Sequence, residues 1–254
     1  MAQVEPLLPE PPPKLAEGRP RVPDRQASCG ILFVLHTGIQ WVYLPQELGF
    51  GSGMTCWRRL AAWNEAGVWD QLLLNKLRSK NQLDWSRAVI DSSHGPGRPQ
   101  GPKSGPSPVD RARPGSKHHI ITDGQGIPLA VSLTGGNRND VTQLLPLLDK
   151  IPAVAGVVVR PRRRPDMLFA DRGYDHDKYR RLLRQRGIRP AIAERGQPHG
   201  TGLGTFRWVV ERTISWLHGF RRLRIRWERR DDIHEAFLGL AVCLITHRHV
   251  QRLC

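Results

Sequence analysis

Cysteine is scarce. Only Cys29, Cys56, Cys243 and Cys254 occur, widely scattered and with no CxxC pair, so neither a zinc knuckle nor a disulfide framework is expected and the compartment reads as reducing. Long hydrophobic runs are missing too. The longest apolar stretch, residues 31–44, is broken by His36, Thr37, Gly38 and Gln40, and no charged start followed by an apolar run resembles a signal peptide. A cytosolic chain with no membrane contact is expected. Acid is the third shortage: 23 Asp and Glu stand against 39 Lys and Arg, a formal net charge of +16 that calls for an anionic partner, most commonly a phosphate backbone. A ribosomal or histone-like protein would share that charge, but eight tryptophans and acid-tipped strands argue against one.

What is present divides the 254 residues into three stretches. Residues 1–25 are so dense in proline and charge that a disordered leader is expected. Residues 26–80 read as helical. One helix runs from Gln26 to His36 and stops at Gly38, and a short LPQEL turn follows. A second carries Trp57, Leu60 and Ala61 at helical spacing after a Ser or Thr cap and ends at Gly67, and a third covers Val68–Leu77. With Arg58 and Arg59 on the second helix, this resembles a helix-turn-helix DNA-binding domain, or equally a plain helical bundle whose arginines face solvent.

From residue 84 the periodicity changes. Strands are predicted at 87–92, 118–122, 127–133, 166–170 and 188–193, and helices at 141–149, 175–186 and 205–218, which makes a mixed α/β sheet with flanking helices. Residues 93–117 hold Arg98, Lys103, Arg111 and Arg113 against the single acid Asp110, and read as a flexible basic loop that tracks a polyanionic substrate.

Three of the few acids sit at the edges of different elements. Asp91 follows the strand RAVI, Asp171 follows MLFA, and Glu211 lies on the helix RWVVERTISWL, where Arg207, Glu211, Ser215, His218 and Arg222 share one face. Each has a plainer reading: a strand-end Asp as a turn former, and Arg207 to Glu211 as a solvated i, i+4 pair. Together, in a basic chain, they suit a pair of hard divalent cations about 4 Å apart acting on phosphodiesters, with flanking arginines seating the backbone. Other acids have structural explanations: Asp140 as a helix cap in a capping box with Gln143, Asp175 and Asp177 as caps or first-turn acids, and Asp123 in the DGQG hairpin turn. His118 and His119, beside Lys117, read either as core histidines or as DNA contacts.

With these residues in place, roughly residues 25–250 resemble bacterial insertion-sequence transposases of the DDE type, in the branch grouping the insertion-sequence-four and insertion-sequence-five elements. The likeness rests on TGIQWVYLPQELGFGSGMTCWRRLAAWNEAGVWDQL, on VIDSS and SKHHIITDGQGIPLAVSLTGGNRNDVTQLLPLLD, and on ADRGYD and RWVVERTISWLHGFRRLRIRWER. It implies a ribonuclease-H-like core over 84–254 in which Asp91, Asp171 and Glu211 bind two Mg2+ or Mn2+ ions. It also implies cutting at the element ends by a metal-activated water, attack of the freed 3′-hydroxyl on target DNA, and an oligomer bridging two ends in the bacterial nucleoid. The N-terminal helices would recognise the terminal inverted repeats. The family signature around the third acid, Tyr-x2-Arg-x3-Glu-x6-Lys, is met at Arg207 and Glu211. Gly204 stands at the tyrosine position and His218 at the lysine position, with Arg221 or Arg222 as substitute cations. Expected DNA contacts are therefore Arg58, Arg59, Lys117, Arg207, His218, Arg221 and Arg222. The competing reading is a catalytically inactive DNA-binding relic or regulator, and a weaker one is a metal nuclease that cuts without joining.

Overall fold

In the computed structural model, residues 4–11, 13, 20–79, 83–97, 101–108, 110–154, 161–196 and 204–251 are described. Three helices lead. α1 (Asp24–Thr37) ends on Gly38 in the left-handed conformation at φ 74°, α2 (Gly53–Glu65) is capped by Ser52, whose hydroxyl accepts from Thr55 N, and α3 (Val68–Ser79) follows Gly67. Gly53 is required by packing, because a Cβ there would fall 1.8 Å from the Trp41 carbonyl oxygen. The start of the expected disordered leader carries a 3-10 turn, Glu5–Leu7, because Val4, Leu7 and Leu8 find apolar surface on the core.

Six strands form one sheet: β1 (Ala88–Pro96), β2 (Gly105–Pro106), β3 (Pro114–Asp123), β4 (Pro128–Gly135), β5 (Met167–Ala170) and β6 (Arg189–Ile192). β1, β3 and β4 are an antiparallel meander, β2 adds to the start of β3, and β5 and then β6 join parallel on the other side of β1. Read across, β4-β3-β1-β5-β6 is the ribonuclease-H-like mixed sheet that the resemblance implied. The central strands read AVI, HHIIT and LFA because both faces are covered. α4 (Leu144–Lys150), α5 (Asp177–Gln185), α6 (Gly204–Gly219), α7 (Arg221–Arg224) and α8 (Asp231–Gln251) complete the described elements. α8 packs on α2, α3, α6 and β4, so the N-terminal helices and the sheet share one buried cluster from Ala27 to Ile245.

Residues 93–117 correct an expectation. Instead of one flexible loop, β1 continues to Pro96 and β3 starts at Pro114, with Asp91 to Pro96 laddered against Ile120 to Gly115. The intervening segment is tied down by Arg226, 3% exposed, which donates to the carbonyls of Lys103 and Pro102 and to Ser116 Oγ. Lys103 itself pairs with Asp231 and Glu235. Arg98 lies outside the described residues.

Candidate active site

The parallel register of β1 and β5 sets Val89 against Phe169. Two residues onward along each chain come Asp91 and Asp171, which therefore reach the same face at the same level of neighbouring strands. Asp171 is also the N-cap of a 3-10 turn, Arg172–Tyr174, and its Oδ1 accepts Gly173 N at 2.9 Å. α6 crosses this face. Phe206 packs on Phe169 with ring centroids 5.2 Å apart, Thr213 Oγ1 donates to Gly126 O at 2.7 Å, and Val209, Val210, Thr213 and Leu217 are buried.

The helix thereby brings Arg207 to Asp91, Nη2 to Oδ2 at 3.3 Å, both side chains 19% exposed. Asp91 Oδ1 accepts Ser92 N at 2.8 Å. Glu211, one turn beyond Arg207, is exposed and makes no hydrogen bond or ion pair among the described residues. Burial raises the proton affinity of Asp91 above the ordinary carboxylate value. Ser92 N and Arg207 oppose the rise, and the like charges of Asp171 and Glu211 add to it. Three acids from three elements thus feel one another. Among the described residues no three His, Cys, Asp or Glu side chains form a group that could hold a metal ion as they stand, and Glu211 has no competing partner there. Carboxylate oxygens are hard donors, of the kind that fits Mg2+ or Mn2+ and not a soft metal.

Around the acids, the other expected contacts fare differently. His218 Nε2 meets Ser93 Oγ at 3.2 Å, and Arg58 and Arg221 are exposed. Three cations are instead committed internally. Arg59 pairs with Asp24 and donates to Val22 O, fixing the start of α1. Lys117 binds Asp140 Oδ1 and Arg138 O, both at 2.9 Å. Arg222, 3% exposed, pairs with Glu228 and donates to the carbonyls of Gly38 and Ile39. A cation with the stem length to reach buried carbonyls spends its donors there, and the sequence pattern carries no sign of that.

Asp140 is not the expected cap. Asn139 Oδ1 takes Val141 N, while Gln143 accepts from Ser132. Asp123 does organise its hairpin turn, accepting from Gln125 N, Ile127 N and Asp84 N. Asp175 is held below the ordinary carboxylate range although burial works against it, because Arg195 N and Arg180 donate to it. Both histidines are core residues: His118 Nε2 lies 2.8 Å from His234 Nε2, and His119 Nε2 lies 2.7 Å from Thr134 Oγ1. Tyr174, part of ADRGYD but given no role by sequence reasoning, is buried, and its hydroxyl has no hydrogen-bond partner among the described residues.

Comparison with known proteins gives concordant matches. A family model described as "Transposase DDE domain" matches residues 84–246, and one described as "Putative transposase of IS4/5 family" matches residues 1–73. The chain is 61% identical over 166 residues to a putative transposase for insertion sequence element IS402 of Burkholderia cepacia, covering 65% of this chain and 77% of the relative. It is 56% identical over 95 residues to an uncharacterized 16.2 kDa protein of the same element and organism, covering 35% of this chain and 65% of that protein, a little under two thirds of its length. Among solved structures, a chain of the simian T-cell lymphotropic virus intasome in complex with PP2A regulatory subunit B56 gamma aligns at 14% identity and TM-score 0.34, over 76% of this chain and 58% of that one. A pre-cleavage Mos1 transpososome aligns at 11% identity and TM-score 0.28, over 94% and 82%. Among the described residues, no helix is long and apolar enough to cross a membrane.

Proposed function

The chain belongs to the DDE transposase family, in its IS4/5 branch, and from that premise we propose that Asp91, Asp171 and Glu211 are the acids that cut and join DNA at the ends of an insertion sequence. The observation that carries the reading is the level placement of Asp91 and Asp171 on adjacent parallel strands, under a helix that Arg207 ties to Asp91 and that presents Glu211 one turn later. Two bound Mg2+ or Mn2+ ions would supply Lewis acidity and a water of lowered pKa.

The chain's own residues do the rest. The three carboxylates offer hard oxygen ligands and would be the residues that hold the cations. Burial and mutual repulsion leave Asp91 undercompensated by Arg207 alone, so cation binding relieves a cost already present in the fold. Arg207, half-buried beside Asp91, is the guanidinium that would seat a phosphate oxygen at the site. His218 and Arg221, further along the same helix end, contact the DNA backbone beyond the cut, and Arg58 on α2 contacts the terminal inverted repeat. The 3′-hydroxyl left by cutting then attacks a target phosphodiester at the same acids, so one site serves both steps. Two element ends are bridged by an oligomer of this chain.

A labelled duplex carrying the terminal repeats, incubated with Mg2+, with Mn2+ and with chelator, tests this against Glu211→Ala. Metal-dependent cutting and joined products that vanish in the variant support the reading. Binding without cutting under every metal by the wild-type chain overturns it.

A further inference from the structure

Between Pro161 and Gly196 the chain carries eleven Lys or Arg against five acids, and the cations are not spread evenly. α5 turns Leu183 into the core, with Tyr179 and Leu182 half-buried, while Lys178, Arg181 and Arg184 recur at helical spacing along its exposed side. Arg189 continues the row on β6, the last strand of the sheet on that side. The loop holding Arg163 lies beside it, because Arg164 Nη1 donates to Arg186 O at 3.5 Å and Arg189 N bonds Asp166 O at 2.9 Å. Arg163, Arg181, Arg184 and Arg189 are exposed, and their side chains make no hydrogen bond or ion pair among the described residues. Neighbours committed to structure are paired, Arg180 to Asp175 and Arg186 to Asp149. The exposed row is what this edge of the sheet offers to a polyanion.

The row starts at the acids. α5 begins three residues beyond the 3-10 turn that Asp171 caps, and Asp175, between the two, accepts from Arg180 Nε and from Arg195 N, both at 2.8 Å, which fixes the first turn of the helix beside that strand end. Lys178 to Arg184 spans about 9 Å of helix axis. Arg189 pairs with Met167, which lies about 13 Å back along β5 from Asp171. α5 packs on β6, whereas α6, with Arg207, packs on β1, β3 and β5, so the strand ends carrying Asp91 and Asp171 have a separate set of cations on each side. Joining brings two duplexes to one set of acids, and two polyanions repel unless each meets its own counter-charge. We propose that α5 and the sheet edge beside it hold the target duplex during joining, with Lys178, Arg181, Arg184 and Arg189 on its phosphates, while the α6 side holds the element end. Contacts to phosphate carry no sequence information, which suits a target of any sequence. The proposal rests on the acid-site reading above.

The test uses the full chain with Arg181→Gln and Arg184→Gln together, two exposed side chains whose loss leaves the unfolding midpoint unchanged. The chain is saturated with an unlabelled element-end duplex in chelator, and binding of a labelled duplex of unrelated sequence is then followed against salt. The wild-type chain is expected to take the second duplex, and the variant to take it with a salt slope smaller by about two and about tenfold more weakly at about 0.1 M salt. With Mg2+ the variant should cut the element end within about twofold of wild type and join it to target about tenfold less. A variant that joins as well as wild type overturns the proposal. So does one whose salt slope for the element-end duplex alone falls by the same two, because the row would then hold the element end itself. A loaded wild-type chain that takes no second duplex overturns it as well. A wild-type chain that neither cuts nor joins under any metal overturns the acid-site reading and this proposal with it. Should the pair lose its fold, Lys178→Gln with Arg189→Gln gives the same decision on the same two readouts.

Discussion

Replacing Arg222 separates a structural cation from a DNA contact. Arg222 Nε donates to Glu228 Oε1 at 3.2 Å, and its Nη1 donates to Ile39 O at 2.8 Å and Gly38 O at 3.3 Å. Glu228, 7% exposed, also accepts from Trp41 Nε1. One guanidinium therefore ties the end of α1, the turn after it and the segment before α8 into a single knot. Arg222→Met keeps much of the apolar stem but strands a buried carboxylate and two carbonyls. Breaking a buried ion pair from one side costs about 3–5 kcal/mol, which at a urea slope of about 2.5 kcal/mol/M moves the unfolding midpoint down by about 1–2 M. The double variant Arg222→Met with Glu228→Gln removes the orphaned charge and should recover about half of that loss or more. Binding of the folded variant to duplex DNA should keep its affinity and its salt slope. A midpoint shift below about 0.3 M, or a salt slope reduced by about one, would refute the reasoning, because the second is the signature of a lost phosphate contact.

Other expectations follow the same geometry. Asp91→Ala and Glu211→Ala should each lower cutting of an element-end duplex by about a hundredfold or more while leaving DNA affinity unchanged or raised, since a negative charge leaves a polyanion site; retained metal-dependent nicking by Asp91→Ala refutes the assignment. Burial, helped by His218, His119, Arg226 and His94, pushes His118 down to about 3, and burial pushes His119 down to about 4, with Lys117 adding to the effect and Asp140 opposing it. The folded state keeps both histidines neutral while the unfolded chain protonates them near pH 6.5. Stability is therefore full above that pH and falls as pH drops toward 4, by up to about 1.4 kcal/mol per pH unit for each histidine; urea midpoints at pH 7, 6 and 5 that do not decline would contradict it. Gly53→Ala forces the Trp41 backbone away from α2 and should cost about 2 kcal/mol or more, read as a fall in thermal midpoint.

Elements whose residues alternate or recur with a clear period were legible in the sequence. α1, α2, α3, α6 and the five long strands fall within a few residues of expectation, and Gly38 and Ser52 act at the ends where their chemistry suggested. α8 was missed. Its core stretch, AFLGLAVCLIT, is apolar around most of its circumference because α8 is covered by α2, α3, α6 and β4, and a helix buried on all sides shows no stripe to read. The strand extensions through residues 93–96 and 114–117 were hidden for the opposite reason: Ser, His, Gly and Lys pair there through backbone bonds that need no β-former. At the site, the positions of Asp91 and Asp171 after short apolar strands were readable, but their register was not, since parallel pairing joins segments about 80 residues apart. Tyr174 was legible only as part of ADRGYD, one of the stretches that carried the resemblance; that its hydroxyl is buried with no hydrogen-bond partner among the described residues is a property of packing that no local pattern carries.

The division of the cations changes what the net charge means. A formal +16 suggests a surface uniformly attractive to DNA, yet Arg59, Lys117, Arg222 and Arg226 each spend their donors on carboxylates or carbonyls inside the fold. Charges held this way release no counterions when DNA arrives, so they are silent in the salt dependence of binding. The ones that count are exposed, such as Arg58 on α2 and Arg221 and Arg224 past the end of α6. Those past α6 follow directly on the helix that carries Glu211, while the buried group stitches α1, the segment between β1 and β3, and the segment before α8 to one another. One residue type thus does two separable jobs, and burial assigns them. An arginine-to-alanine scan should sort into variants that lose stability at constant salt slope and variants that lose salt slope at constant stability. An arginine that moved both together by full amounts would break that division.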